Sequence, residues 1–344
     1  MKLVENAKKC FRESYMKMKN NMPMNVFEKT VVNVWGKNGQ AWLKKIPWVI
    51  NQLSDLWSLS DITPVDNLSF NFVAKAKQNK NPVVIKVSCD KKLIEEEYRA
   101  LKHFDGHGSI NAIDIHKDLN ALLLEQAIPG NLLKNHYSSD IQNTIESYVK
   151  VVNALGSQSK PAHHYTHVKK WCEAIDRIND KRVPKHLINK ALTLSEFLLK
   201  TADKEYLCHG DLHLDNILFH KDKWLSIDPK GIIGEMSFEA AAFDLISQEE
   251  WFNLKTVPDK ITTRIHYLAQ TLGIDKSRLL FWFFVRAIIS TQWFIEDNSN
   301  PEEALKLATM LYSLLTNKKN DSDKEKTVAK QPPDITIDLA KKTH

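Results

Sequence analysis

Cysteine is scarce and scattered. The 344 residues carry four, Cys10, Cys89, Cys172 and Cys208, with no Cys-x-x-Cys pair among them. This excludes a disulfide framework or a structural zinc site and fits reduced thiols in a cytoplasmic protein. The opening stretch "MKLVENAKKCFRESYMK" lacks an apolar core of signal-peptide length. The most apolar run, "LLFWFFVRAIISTQWF", is interrupted by Arg286 and is short for a bilayer span, so a buried helix is expected and no membrane partner. The net charge of +6 sits at the ends: residues 1–22 hold six Lys/Arg against two Asp/Glu, and residues 317–344 hold seven against five. The chain between is neutral, which leaves no nucleic-acid footprint. There is no internal repeat. What remains is an ordinary globular composition, 43% hydrophobic and 26% charged, long enough for two lobes.

Residues 40–57, "QAWLKKIPWVINQLSDLW", set Trp42, Leu43, Ile46, Val49, Ile50, Leu53, Leu56 and Trp57 at helical spacing. Pro47 is expected to bend or restart that helix. Strand-like pieces follow at 71–76 and 83–88 around the turn "KQNKNP", then a helix from about Lys91 to His103. Two more strands, "NAIDIH" and "ALLLEQA", flank the turn "KDLN". This β-β-α-β-β order predicts a small antiparallel sheet with one helix packed on it. After "IPGNLL" the pattern turns helical, with helices expected at about 139–155, 165–179, 184–201, 238–252, 259–272, 275–296 and 301–315. A hairpin, "NILF" and "WLSID", interrupts the series. Pro301 suits the first turn of the last helix, behind Asn298 or Ser299 as cap. From Asn317 the chain is polar and contains proline, and a disordered tail is expected.

The stretch "CHGDLHLDNILFHKDKWLSIDPKG" crowds polar residues between apolar runs. His209, Asp211 and His213 alternate, so on a strand they would share a face and suit a metallohydrolase. Phosphoryl transfer makes other demands: a Lys for the phosphates, a helical Glu to hold it, a carboxylate for the acceptor hydroxyl, and an Asn and an Asp for magnesium. All occur here in that order. Lys86 lies in the apolar strand "VVIKV" and by itself would read as a surface lysine. Glu95, Glu96 and Glu97 follow on the next helix and could form a solvated face. Glu97, four residues before Leu101 and on the same side, is the candidate partner of Lys86. Asp211 and Asn216 are five apart, so Asp211 can deprotonate or orient a hydroxyl while Asn216 reaches a metal. Asp228 ends the second hairpin strand, which brings it beside Asn216 to bridge magnesium and phosphates. His163 and His167, four apart, would reach one metal if helical, but no third ligand is evident.

"HGDLHLDNIL" followed by "IDPKGIIGE" resembles the aminoglycoside phosphotransferases, and within them the aminoglycoside/hydroxyurea antibiotic resistance kinase family. The resemblance covers most of residues 35–300 and includes "GKNGQAWLKKIPWV", "EEYRALKHFDGHG" and "ALLLEQAIPGNLL". It implies an α+β, two-lobe, protein-kinase-like fold: a small antiparallel-sheet nucleotide lobe at 23–128 and a larger, mainly helical acceptor lobe at 129–316. The N-terminal extension is 1–22 and the polar tail 317–344. It implies ATP and Mg2+ as cofactors and a hydroxyl of streptomycin or a related aminoglycoside as acceptor. Asp211 becomes the catalytic base, Asn216 and Asp228 the magnesium ligands, and Lys86 with Glu97 the phosphate anchor. The backbone at Glu125, Gln126 and Ala127 becomes the hinge that meets adenine, and His209 and His213 become loop-shaping residues.

Two departures stand out. The family's Gly-Asp-Pro appears as Gly234-Glu235-Met236, and its later Asp as Glu239. The loop expected to cover the phosphates, "PVDNLSFNF", has no glycine, leaving Ser69 and backbone amides to do so. Glu235, Glu239, Glu249 and Glu250 are the acids that could line a site for a polycationic acceptor, and Arg286 is expected to pair with a carboxylate of the second lobe. Kinases of this architecture also act on other sugars and amino alcohols. A catalytically silent nucleotide-binding protein stays open beside them.

Overall fold

The structure is a computed structural model that describes residues 22–158 and 165–328. Residues 1–21, His163 and residues 329–344 lie outside that range. The first helix, α1 (Met22–Leu56), is broken at Gly36, whose φ of 55° and ψ of −129° are not helical. The break therefore falls at the glycine rather than at Pro47, which lies inside the helical run. Gly36 has no Cβ to clash in this conformation. Phe27, Val31, Ile46, Val49, Ile50 and Leu53 form the buried face of α1 and share one core cluster with Ile62, Phe72 and Ile85.

That cluster lies under an antiparallel sheet of order β1-β2-β3-β5-β4, made of β1 (Leu59–Pro64), β2 (Phe72–Gln78), β3 (Asn81–Val87), β4 (Ala112–His116) and β5 (Ala121–Glu125). An edge strand, β1, thus precedes the expected β-β-α-β-β series. The β2–β3 hairpin turns on Asn79 and Lys80, both with positive φ (49° and 71°), and pairs Gln78 with Asn81. Two left-handed residues in a two-residue loop match the right-handed twist of the strands. Helix α2 (Lys91–Phe104) starts on Asp90, whose carboxylate accepts the Lys92 N–H. Its buried stripe is Ile94, Glu97, Ala100, Leu101 and Phe104.

Beyond Glu125 the chain passes to β6 (Pro129–Leu132), then α3 (Ile141–Gly156), β7 (Thr166–His167), α4 (Val168–Cys172), α5 (Lys185–Lys200) and β8 (Tyr206–Cys208). The hairpin β9 (Ile217–His220) and β10 (Lys223–Ser226) forms a three-stranded sheet with β6, and β11 (Ile232–Gly234) joins β7 and β8. Short α6 (Met236–Ala240) is followed by α7 (Val257–Leu272), α8 (Lys276–Glu296) and α9 (Glu302–Val328). Two expected helices come out shorter. Residues 165–179 become β7, α4 and a 3-10 turn. Residues 238–252 become α6, a bent segment that buries Phe243 and Leu245, and a second 3-10 turn. The last helix is longer than expected and runs past Asn317, because no proline or glycine occurs before Pro332.

Helix α8 forms the centre of the second lobe, with Trp282, Phe284 and Ile288 fully buried. Among the described residues it is the one helix long and apolar enough to cross a membrane, and it serves instead as a core helix. The lobes meet where the Ile110 N–H donates to Ser226 O (3.0 Å) and the Ser226 N–H to Gly108 O (2.8 Å), and where Leu225 packs with Ile94, Leu101, Leu122 and Leu124. The β9–β10 hairpin is thereby docked against the first lobe, and its two ends carry Asn216 and Asp228.

Candidate active site

Lys86 comes from β3 and is buried, although its neighbours on the strand are apolar. A buried ammonium needs anionic partners. It has two: Glu97 Oε2 at 2.6 Å and Asp228 Oδ1 at 2.7 Å. Glu97 reaches it because the α2 stripe that buries Ile94 and Leu101 also faces the sheet. Burial alone would lower the Lys86 pKa, but Asp228 and then Glu97 outweigh it and raise it. Burial pulls the Asp228 carboxyl upward, while Lys86 and Lys230 hold it well below the usual range. The site therefore carries a fixed ammonium and an ionised Asp228.

Asp228 sits at φ 62°, a left-handed conformation uncommon for aspartate. Both lysines touch its Oδ1, at 2.7 Å from Lys86 and 3.0 Å from Lys230, so neither contact takes up Oδ2. Across from it, the side-chain amide of Asn216 donates to the Asp211 carbonyl at 2.8 Å, which leaves Asn216 Oδ1 as the atom available to a cation. An amide oxygen and a carboxylate are hard oxygen donors of the kind magnesium takes alongside phosphate. The donor set fits the ion.

The loop between β8 and β9 is held from several sides. His209 is fully buried, and burial lowers its pKa to about 4. Its Nε2–H donates to Ile227 O at 2.7 Å, and its Nδ1 accepts the Asp211 N–H at 3.2 Å. Both ring nitrogens of a neutral imidazole are thus spent on backbone, which overturns the metal-ligand alternative for the alternating His–Asp–His. Among the described residues no cluster of three His, Cys, Asp or Glu could hold a metal. His167 likewise bonds Glu205 at 2.6 Å and accepts the Lys169 N–H at 3.0 Å.

The Gly210 peptide is clamped on both sides: its N–H donates to Glu239 Oε2 at 3.2 Å, and its carbonyl accepts from Arg286 at 2.9 Å. The Leu214 N–H donates to Asp244 at 2.8 Å, and the Asn216 carbonyl accepts the Ile227 N–H at 2.9 Å. Asp211 projects from this fixed loop with its carboxylate partly exposed and Lys230 Nζ 3.9 Å from its Oδ2.

The expected hinge carries an unexpected staple. Glu125 turns its carboxylate back to Asn111 (2.9 Å) and lies 3.3 Å from His220 of β9, whose Nδ1 accepts the Ile128 N–H at 3.0 Å. Gln126 and Ala127 follow, the latter buried. Ser69 is exposed on the Val65–Asn71 loop, which is anchored by buried Leu68 and by Phe70 set edge-on to Trp35.

Three of the four candidate substrate acids are removed by their surroundings. Glu235 is buried and bonded by Arg278 (2.7 Å) and Trp282. Glu239 lies beneath the Gly210 peptide, where burial raises its pKa to about 7. Glu250 binds both guanidinium nitrogens of Arg264 at 2.7 Å and Lys260 at 2.8 Å; burial would raise its pKa, but these partners hold it at about 2. Each is an internal anchor. Glu249 alone stays exposed. Arg286, expected to bond a carboxylate, instead donates to the Gly210 carbonyl and lies over the Phe238 ring at 4.7 Å. Sequence reasoning overlooked Lys230, Asp244 and His220. Lys230 stood in the quoted "IDPKG", and Asp244 was signalled as one acid between the core residues Phe243 and Leu245.

The family described as aminoglycoside/hydroxyurea antibiotic resistance kinase matches residues 57–298, most of the chain and all of this constellation. The chain belongs to this family. The resistance-kinase match is accompanied by similarity to the streptomycin 6-kinase of Streptomyces glaucescens, 22% identical over 276 residues, which cover 77% of this chain and 88% of that protein. The streptomycin 3''-kinase of Klebsiella pneumoniae is 25% identical over 236 residues, 66% of this chain and 85% of that one. Among solved structures, a thermostable mutant of aminoglycoside phosphotransferase APH(4)-Ia in ternary complex with ADP and hygromycin B superposes with a TM-score of 0.56 at 13% identity. That alignment covers 76% of this chain and 96% of the other. The likeness establishes the protein-kinase-like two-lobe fold for this member of the resistance-kinase family.

Proposed function

We propose that this kinase transfers the γ-phosphoryl group of ATP to a hydroxyl of streptomycin or a related aminoglycoside. The observation that carries the proposal is the convergence of Lys86, Glu97 and Asp228 beside Asn216 and Asp211, contributed by three separate parts of the chain. Lys86, fixed by Glu97, binds the phosphates, and the backbone at Glu125, Gln126 and Ala127 meets adenine. Asn216 and Asp228 hold magnesium, which neutralises charge on the phosphates when bound. Asp211 orients the acceptor hydroxyl and takes its proton, and the fixed loop behind it keeps that geometry without reorganisation. Glu249, the candidate acid that stays exposed, suits a polycationic acceptor, whereas Asp215 is already ion-paired with Lys134 at 2.6 Å. The two streptomycin kinases differ in the hydroxyl their names give, so the proposal extends to the substrate class and not to a position on the ring. The requirement for ATP implies a cytoplasmic location.

The test is ADP release by purified protein with ATP and Mg2+, with and without streptomycin, alongside Asp211→Ala. Release stimulated by streptomycin and lost in the variant supports the proposal. Release that ignores streptomycin but responds to another sugar or amino alcohol would reassign the acceptor, and no release with any acceptor would point to a silent nucleotide binder.

A further inference from the structure

Lys86 is not the only cation at the centre of the site. Lys230 Nζ lies 3.0 Å from Asp228 Oδ1 and 3.9 Å from Asp211 Oδ2, between the carboxylate assigned to the acceptor proton and the one assigned to the nucleotide. Its backbone is locked to the catalytic loop, since the N–H groups of Lys230 and Gly231 both donate to the His209 carbonyl, at 2.8 and 3.3 Å. Pro229 fixes the approach. Gly231 turns the chain away at φ 65°, where a Cβ would stand 3.0 Å from Ala100 and 3.2 Å from Tyr165. The two lysines differ in freedom. Lys86 is buried between Glu97 and Asp228, whereas the Lys230 side chain is 34% exposed and reaches Asp228 at 3.0 Å.

We propose that Lys230 is a catalytic residue that binds the phosphoryl group in flight. This rests on the phosphotransferase function proposed above. A group passing from nucleotide to acceptor must cross the gap between Asp228 and Asp211, and Lys230 Nζ stands in that gap. In the step, a lone pair of the acceptor oxygen forms the new O–P bond. The bond from the γ-phosphorus to the bridging oxygen breaks with its electron pair going to ADP, and the hydroxyl proton goes to Asp211. Charge spreads over the three equatorial oxygens of the transferring group, and an ammonium aimed at them acts most strongly at that moment.

The experiment compares wild type with Lys230→Met and Lys230→Arg. Binding of Mg-ADP and Mg-AMP-PNP is titrated calorimetrically without acceptor, and turnover is measured with ATP and streptomycin. Lys230→Met is expected to weaken Mg-AMP-PNP by about tenfold while Mg-ADP stays within about twofold, because only the former carries the γ-group. The kcat should fall on the order of 100-fold with little change in the acceptor KM. Lys230→Arg, which keeps the charge and the fold, should recover most of the γ-dependent affinity. Equal weakening of both nucleotides, or a kcat near that of wild type, overturns the proposal and leaves Lys230 a spacer between two carboxylates. Wild type that binds neither nucleotide would instead remove the phosphotransferase proposal and this one with it.

Discussion

The loop Cys208–Asn216 and the loop Val65–Asn71 are assigned to opposite sides of one nucleotide, and they are built in opposite ways. In the first, His209, Gly210, Asp211, Leu214 and Asn216 each bond a group elsewhere in the second lobe or within the loop, and the anchors Glu239, Arg286 and Asp244 come from two further segments. In the second, two attachments are apolar, buried Leu68 and the Phe70–Trp35 contact, and the third is one backbone bond from Val65 to Val73. The buried amide oxygen of Asn71 has no partner among the described residues. A loop that must hold a base at a fixed distance from a hydroxyl is over-determined. A loop that has to admit and release a nucleotide is tethered at three points.

The largest break in this contrast comes from Asp211→Ala. It leaves the loop's backbone anchors intact, so nucleotide affinity should stay within about twofold while turnover falls on the order of 1,000-fold. Paired titration and rate measurements check this. Lys86→Met should act on stability as well, because it leaves Glu97 buried without its ammonium. A loss of about 3–5 kcal/mol in urea unfolding is expected, and an unchanged midpoint would count against the pairing.

Glu239→Gln sharpens the comparison through pH. A carboxyl whose pKa is raised from 4.5 to about 7 by burial holds more protons folded than unfolded between those values. Its contribution to stability is therefore full below about pH 4.5 and is lost as pH rises through about 7. Relative to the glutamine variant, wild type should lose about 3 kcal/mol of unfolding free energy between pH 4.5 and pH 8. A pH-independent difference between the two would contradict it. The smallest effect is expected from Ser69→Ala. With an exposed hydroxyl on a loosely tethered loop, the KM for ATP should change by less than about threefold.

Much of this was legible beforehand, for identifiable reasons. The hairpin, α2 and the long helices follow from periodicity and turn residues. Lys86, Glu97, Asp211, Asn216 and Asp228 follow from the order that phosphoryl transfer demands. The acids at 235, 239 and 250 were misassigned because their partners, Arg278 and Trp282, the Gly210 N–H, and Arg264, lie on other segments of the chain, and no local pattern announces such a contact. The sequence pattern places the helix at 40–57 with Pro47 as its breaker; Gly36 lies before that window, and its φ is not readable from the sequence. Lys230 was passed over because a lysine before a glycine reads as a turn until Asp211 and Asp228 are seen on either side of it.

The central claim is that these residues move a phosphoryl group onto a small hydroxyl-bearing molecule. The most direct measurement is mass spectrometry of streptomycin after incubation with the protein, ATP and Mg2+. A product heavier by one HPO3 unit, absent with Asp211→Ala, is the predicted result. Streptomycin, related aminoglycosides and other small hydroxyl-bearing acceptors all recovered unchanged, under conditions where the protein binds Mg-ATP, would contradict it.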